Sequence, residues 1–357
     1  MSLLQLTVED VRCLQRVELS LDPRYSLIWG SNGSGKTSLL EAVFLLGRGR
    51  SFRTRSSERL IRHGQSRLIV FGRTDGPVPN AIGIQVARSD GTIARINGGP
   101  VGSLTDLSQA FPVQVIDPGV HKLVEEGGYR RRRWMDWAVF HVEPAFADLW
   151  GRYTRAIKQR NAALRQQPAQ APAWDPEVAR LGELISQSRA RVMEKLQPAW
   201  HELVAALSGL DVQLHYSRGW AHDVQLAKAL EDARSRDQAK GLTHSGPHRA
   251  DVLVRLGGRP AREVLSRGQQ KLVAIAMTLA QLRLMQELTA TTPTLLLDDP
   301  GAELDRPHLS RFIDQVMRLG CQLVVTSLQP PSEGGALASL GQPRRVFHVE
   351  QGGVAPV

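Results

Sequence analysis

The stretch Gly30-Ser31-Asn32-Gly33-Ser34-Gly35-Lys36-Thr37 decides the fold. It fits the pattern G-x-x-x-x-G-K-[ST], and phosphate chemistry explains each residue type. Glycines let successive backbone N–H groups converge on a β-phosphate, and a following helix aims its positive end at the same place. Lys36 is placed to reach the β- and γ-phosphates, and the Thr37 hydroxyl to ligate Mg²⁺. The flanks suit this reading. Tyr25–Trp29 is a short apolar run that ends at the first glycine, and Ser38-Leu39-Leu40-Glu41-Ala42-Val43-Phe44-Leu45-Leu46 reads as an apolar helix. Gly30 to Thr37 are therefore the candidate nucleotide-binding residues, with ATP and Mg²⁺ as the implied cofactors.

A phosphate loop of this kind needs a second strand that ends in a carboxylate. Leu295-Leu296-Leu297-Asp298-Asp299 supplies it. Asp298 is the candidate to hold Mg²⁺ through water, together with Thr37, and Asp299 the candidate to polarise the attacking water. With Lys36 they form the expected catalytic set. The plain alternative is two acids at a helix start, where Asp is favoured.

Between these halves lies Leu265-Ser266-Arg267-Gly268-Gln269-Gln270-Lys271, which resembles the LSGGQ signature of ABC ATPases. Ser266, Gly268 and Gln269 sit at a predicted helix start, where free N–H groups can meet a phosphate. In that family the signature closes on the γ-phosphate held by a second subunit. Gly301-Ala302-Glu303-Leu304-Asp305 occupies the place of the D-loop.

Working outward, the chain alternates strands and helices at both ends. Leu3–Val8, 17–21, 67–73, 81–87, 92–96 and 111–116 read as strands, with turn signals at Asp75-Gly76-Pro77 and Asp90-Gly91. Trp150, Tyr153, Ile157 and Leu164 make one helical stripe, and Val178, Leu181, Ile185, Val192, Leu196, Trp200 and Leu203 another. The proline-rich break 166–176 between them suggests an antiparallel helical hairpin. The polar stretch 231–240 reads as a solvated helix or loop. The expected architecture is α/β: a P-loop ABC-type ATPase head with a mixed sheet, interrupted by a helical hairpin. The expected domains are 1–140, 141–240 and 241–357.

Composition narrows the partners. The 357 residues carry 45 Lys+Arg against 35 Asp+Glu, a net +10, which favours polyanions, nucleic acid first. Eight arginines and one acid fall between Arg48 and Arg73, and Arg130 to Arg133 form a second run. Arg48, Arg50, Arg53 and Arg55 are the candidate DNA contacts. Four adjacent arginines on a helix point in all directions, so some of the second run are expected to pair internally. Two distant cysteines, Cys13 and Cys321, suggest neither a disulfide framework nor a zinc site. The apolar stretches are too short for a membrane span, and the first residues lack the pattern of a signal peptide.

The order of motifs, with a helical insert between the P-loop and the signature, resembles the SMC-like branch of the ABC ATPases. GRGRSFRT at 47–54, RRRRWMDWAVFHVEP at 130–144, GPHRAD at 246–251 and LLLDDPGAELD at 295–305 narrow the resemblance to the RecF family. The resemblance implies a cytoplasmic ATPase of weak, DNA-stimulated activity that forms an ATP-dependent homodimer on DNA near single-strand gaps. It also implies work with RecR and RecO, and through them with RecA, in recombinational repair, fork recovery and the SOS response. The chain departs from the family pattern at Ala250, Pro300 and Ala302, and carries Asp299 where a glutamate is usual. It has no histidine after the strand 321–326, where Thr326 or Ser327 is the substitute. Gln114 is a candidate Q-loop residue and equally a plain strand residue. Two other readings compete: a nucleotide-gated scaffold that recruits repair proteins with negligible hydrolysis, and the ATPase subunit of a membrane transporter. The helical hairpin and the basic balance argue against the transporter.

Overall fold

The computed structural model describes residues 2–76, 79–289, 291–331 and 337–357. Pro77, part of one predicted turn, lies outside the described residues. The chain divides into two compact units, 1–120 with 290–357, and 121–289.

The first unit carries two six-stranded sheets. One is antiparallel, in the order Leu14–Ser20, Leu3–Val11, Arg67–Thr74, Ala81–Ala87, Gly91–Ile96 and Gly99–Pro100. The other runs Gly353–Pro356, Arg345–Glu350, Tyr25–Trp29, Gln322–Ser327, Thr294–Leu297 and Val113–Ile116. Its inner pairings are parallel, and the terminal hairpin Arg345–Glu350 with Gly353–Pro356 is antiparallel. A strand buried on both faces reads as a continuous apolar run, and Thr294–Leu297 is buried throughout.

The helix Lys36–Arg48 packs against strands of both sheets. Leu39, Leu40, Val43, Leu45 and Leu46 are all within 1% of complete burial in a single apolar core shared with Leu6, Val70, Leu296 and Val324. The helix stops at Gly49, which takes the left-handed conformation (φ 62°) and returns its N–H to Leu45 O at 2.8 Å.

The second unit is mainly helical. Phe146–Gln166 and Asp175–Ser208 pack on each other through the 3₁₀ turn Pro168–Trp174, and Arg267–Thr289 packs on Asp175–Ser208. A small antiparallel sheet joins Arg259–Pro260, Asp251–Leu256 and Val212–Ser217. The compact units part from the sequence boundaries at 140 and 240, and these pairings account for the second difference. The strand before the signature hydrogen-bonds to the strand after the long helix, so 241–289 clusters with 146–208 and not with the P-loop.

The stretch 231–240 is mostly exposed, as its polar sequence leads one to expect, with Asp237 its one buried residue. Arg160, only 1% exposed, donates from Nε to Asp175 Oδ1 at 2.7 Å and from Nη1 to Asp237 Oδ2 at 2.7 Å and Thr243 Oγ1 at 2.9 Å. A buried guanidinium requires such partners, and Asp237, completely buried, is held inside by it. No helix among the described residues is long and apolar enough to cross a membrane.

Candidate nucleotide site and its surroundings

The P-loop leaves the strand Tyr25–Trp29 and enters the helix Lys36–Arg48, as its sequence requires. Gly30 sits where a Cβ would lie 2.3 Å from Val349 O, so no side chain fits. Gly33 turns through φ 77°, a conformation that favours glycine. The terminal hairpin braces the loop from outside the motif, because Gly352 N–H donates to Ser34 O at 2.9 Å. Ser34 Oγ is buried with no partner among the described residues, as expected of a hydroxyl reserved for a phosphate oxygen.

Lys36, 4% exposed, donates from Nζ to Gly30 O at 2.9 Å and Ser31 O at 3.1 Å, and its Nζ lies 3.8 Å from Asp299 Oδ2. Thr37 Oγ1 meets Asp298 Oδ1 at 3.0 Å and Oδ2 at 3.1 Å. Residues 261 positions apart are thus joined because the strands Tyr25–Trp29 and Thr294–Leu297 flank the same neighbour, Gln322–Ser327. That middle strand contributes Thr326, whose Oγ1 donates to Asp298 Oδ1 at 3.0 Å and accepts from Asp299 N–H at 2.8 Å. Of the two candidates to replace the absent histidine, Thr326 reaches both aspartates, whereas Ser327 Oγ accepts from Gln329 N–H.

Burial pushes the Asp298 carboxyl above the usual range, opposed by hydrogen bonds from Thr326 and Thr37 and by the charges of Arg53 and Lys36. Burial likewise raises Asp299, opposed chiefly by Lys36. Asp299 is held in the left-handed region (φ 47°), with Oδ1 buried and unpartnered among the described residues. Strain of this kind in a non-glycine residue costs on the order of 1–3 kcal/mol and clusters at functional sites. Thr37 and Asp298 present hard oxygens, the donor type Mg²⁺ takes while keeping several waters and substrate phosphates. The residues present therefore fit that ion.

Gln114 stands in the edge strand opposite Leu295. Gly301, Ala302 and Glu303 form a short helical turn with Pro300, and Asp305 caps the next helix by accepting from His308 N–H at 3.0 Å.

In the second unit, Ser266 caps the helix Arg267–Thr289. Gln269 N–H donates to Ser266 Oγ at 3.3 Å, and Ser266 N–H to Gln269 Oε1 at 2.9 Å, a reciprocal capping box. Gly268 is exposed, with nothing within 4 Å of where a Cβ would stand.

The two arginine clusters differ. Arg53 and Arg55 are exposed and Arg48 and Arg50 half-buried. The loop that carries them is tied down by Glu41, which is completely buried. Glu41 accepts from Arg12 Nε and Ser51 Oγ, each at 2.5 Å. In the other run Arg131 is buried and bidentate on Asp251 at 2.9 and 2.8 Å, and Arg132 donates to Ala250 O at 2.6 Å. Arg130 pairs with Glu126, and Arg133 stacks 5.5 Å from the Tyr129 ring centre. Sequence reasoning missed Glu41, Asp251 and Arg160, because the partners that bury them are distant or untyped by any motif.

A family model described as the RecF/RecN/SMC N terminal domain matches residues 2–352. The DNA replication and repair protein RecF of Shewanella sp. (strain MR-4) is 38% identical over 361 residues, covering 100% of both chains. Its counterpart from Xanthomonas oryzae pv. oryzae is 40% identical over 367 residues, covering 99% of this chain and 98% of its own. Among solved structures, the recombination mediator protein RecF with ATP superposes with TM-score 0.89 at 23% identity, covering 100% of this chain and 97% of that one. An SMC head bound to the C-winged helix domain of ScpA superposes at 0.59 with 16% identity, covering 100% and 97%. Both structural likenesses show the fold, an ABC-type ATPase head. With a matching family model and curated relatives aligned over their whole length, the chain belongs to the RecF family of DNA replication and repair proteins.

Proposed function

We propose that this chain is an ATP-dependent DNA-binding protein of recombinational repair, with a nucleotide-gated homodimer as its working state. The observation that carries the reading is the meeting of Lys36, Thr37, Asp298, Asp299 and Thr326 at one end of three adjacent parallel strands, with Thr37 Oγ1 and Asp298 Oδ1 at 3.0 Å. Lys36 neutralises charge on the β- and γ-phosphates, and Thr37 and Asp298 hold Mg²⁺, which supplies further charge neutralisation when bound. Asp299 Oδ1, buried and unpartnered among the described residues, accepts a proton from attacking water. Its side chain is shorter than a glutamate and in part engaged by Lys36, which supports slow hydrolysis. Ser266, Gly268 and Gln269 stand at an exposed helix start and contact the γ-phosphate held by a second copy.

Closure presents basic surface, Arg53 and Arg55 foremost, to DNA near single-strand gaps. The relatives' role extends the reading to cooperation with RecR and RecO in the cytosol, and so to loading of RecA. Hydrolysis stimulated by DNA separates this reading from a scaffold with negligible turnover.

Sedimentation of the full chain with and without ATP, and with and without a gapped duplex, tests the proposal. A dimer is expected only with ATP, stabilised by DNA, and Lys36→Ala abolishes it. A Lys36→Ala protein that still dimerises with ATP sinks the sandwich.

A further inference from the structure

The outer face of the antiparallel sheet has no role in nucleotide binding, and its side chains are unusual for a solvated sheet. Inward-facing Leu68, Val70, Ile82, Ile84 and Val86 are all within 1% of complete burial. On the opposite face, register places Thr7, Phe71, Gly83 and Arg95 in one row across four strands. The next row holds Glu9, Ile69, Gln85 and Ile93, and the row on the other side Gln5, Arg73 and Ala81. Phe71 and Ile69 are half-exposed, and Ile93 is 46% exposed. Gly83 leaves the space beside Phe71 open: a Cβ there would meet only the ring edge, at 3.8 Å. The Arg73 guanidinium lies 5.9 Å from the Phe71 ring centre.

Charge on this face is one-sided. Its acids, Glu9 and Glu18, both engage Arg16, at 3.7 and 2.9 Å. Arg67, Arg73 and Arg95 are exposed and make no ion pair among the described residues. An aromatic ring on an open sheet face, with Thr7 and Gly83 on either side and unpaired arginines near it, suits a chain whose units alternate a planar apolar face with an anion. Single-stranded nucleic acid is that chain: bases stack on the ring while phosphates meet the guanidinia. A duplex presents phosphates but no unstacked base, so it leaves Phe71 unused.

We propose that the outer face of this sheet is a binding platform for single-stranded DNA, with Phe71 as the stacking residue and Arg73 and Arg95 as phosphate contacts. The proposal rests on the DNA-binding reading above and adds where the single strand runs.

The test uses the full chain, a fluorescent oligothymidylate and a duplex of equal length, titrated over a range of salt. Phe71→Ala is expected to weaken single-strand binding about tenfold or more while duplex affinity holds. Phe71→Tyr retains it, which separates stacking from a packing defect. The double variant Arg73→Ala/Arg95→Ala, on the exposed face, is expected to flatten the single-strand salt slope by about 1.4, since each phosphate left without its arginine takes away about 0.7. Unchanged single-strand affinity in Phe71→Ala, or an unchanged slope in the arginine variant, overturns the proposal, as does an equal loss for duplex and single strand. Failure of the unsubstituted chain to bind either DNA would instead overturn the DNA-binding reading itself.

Discussion

The arginine runs at 48–55 and 130–133 look alike as sequence and differ in the fold. The first lies mostly in a loop beyond the P-loop helix, and Glu41 fastens that loop through Ser51 and Arg12 while Arg53 and Arg55 stay exposed. The second lies on the helix Gly128–Val142, whose period turns successive residues around the axis. One of them, Arg131, must therefore face inward, where Asp251 and the carbonyls of Leu123, Val124 and Glu126 receive it. The loop leaves Arg53 and Arg55 at the surface with Arg50 half-buried, whereas a helix packed on one side must turn one of four adjacent residues inward.

The comparison breaks or sharpens at specific residues. The largest effect is expected at Arg131. Its loss leaves Asp251 without its bidentate partner, and Arg131→Ala should destabilise the second unit by about 3 kcal/mol. Denaturant unfolding followed by tryptophan fluorescence measures this, and a cost under about 1 kcal/mol would place Arg131 with the surface arginines.

Next comes His248, in the same neighbourhood. It bonds Tyr153 Oη at 2.7 Å and Thr243 O at 2.9 Å, and burial pushes its pKa down to about 4. A histidine depressed in the folded state is protonated first in the unfolded chain. Its contribution is therefore complete above the unfolded value near 6.5 and is lost as pH falls toward about 4. Stability of the second unit should drop by about 1–3 kcal/mol across that window. His248→Gln should flatten that part of the unfolding profile, and an unchanged profile would assign the pH dependence elsewhere.

The smallest stability effect is expected at Arg53, whose removal leaves stability within about 0.5 kcal/mol. Arg53→Ala should still lower DNA affinity or ATP turnover several-fold, because its charge acts on Asp298. Equal stability losses for Arg53→Ala and Arg131→Ala would erase the distinction between the runs.

The candidate site's continuous segments were legible as segments: Gly30 to Thr37 join a strand to a helix, and Asp298-Asp299 follow a strand, as the pattern leads one to expect. In the antiparallel sheet, strand positions followed alternation because one face of each is buried, whereas Thr294–Leu297, buried throughout, was readable as a continuous apolar run. What could not be read were pairings across long separations. Nothing near Arg131 announces Asp251, 120 residues away, and nothing in 231–240 announces that Arg160 draws Asp237 inside. Thr326 had only a place in the order of motifs, and its bonds to both aspartates depend on strand neighbours. The joining of 241–289 to the second unit follows a sheet pairing that periodicity does not encode.

The nucleotide loop is also finished from the far end of the chain. Val349 O lies against Gly30 and Gly352 N–H holds Ser34 O, so residues made more than 300 positions later shape the loop. On a ribosome, the motif emerges more than 300 residues before the strand and turn that brace it. The braced form of the loop is therefore reached late in synthesis, long after the loop's own residues are made.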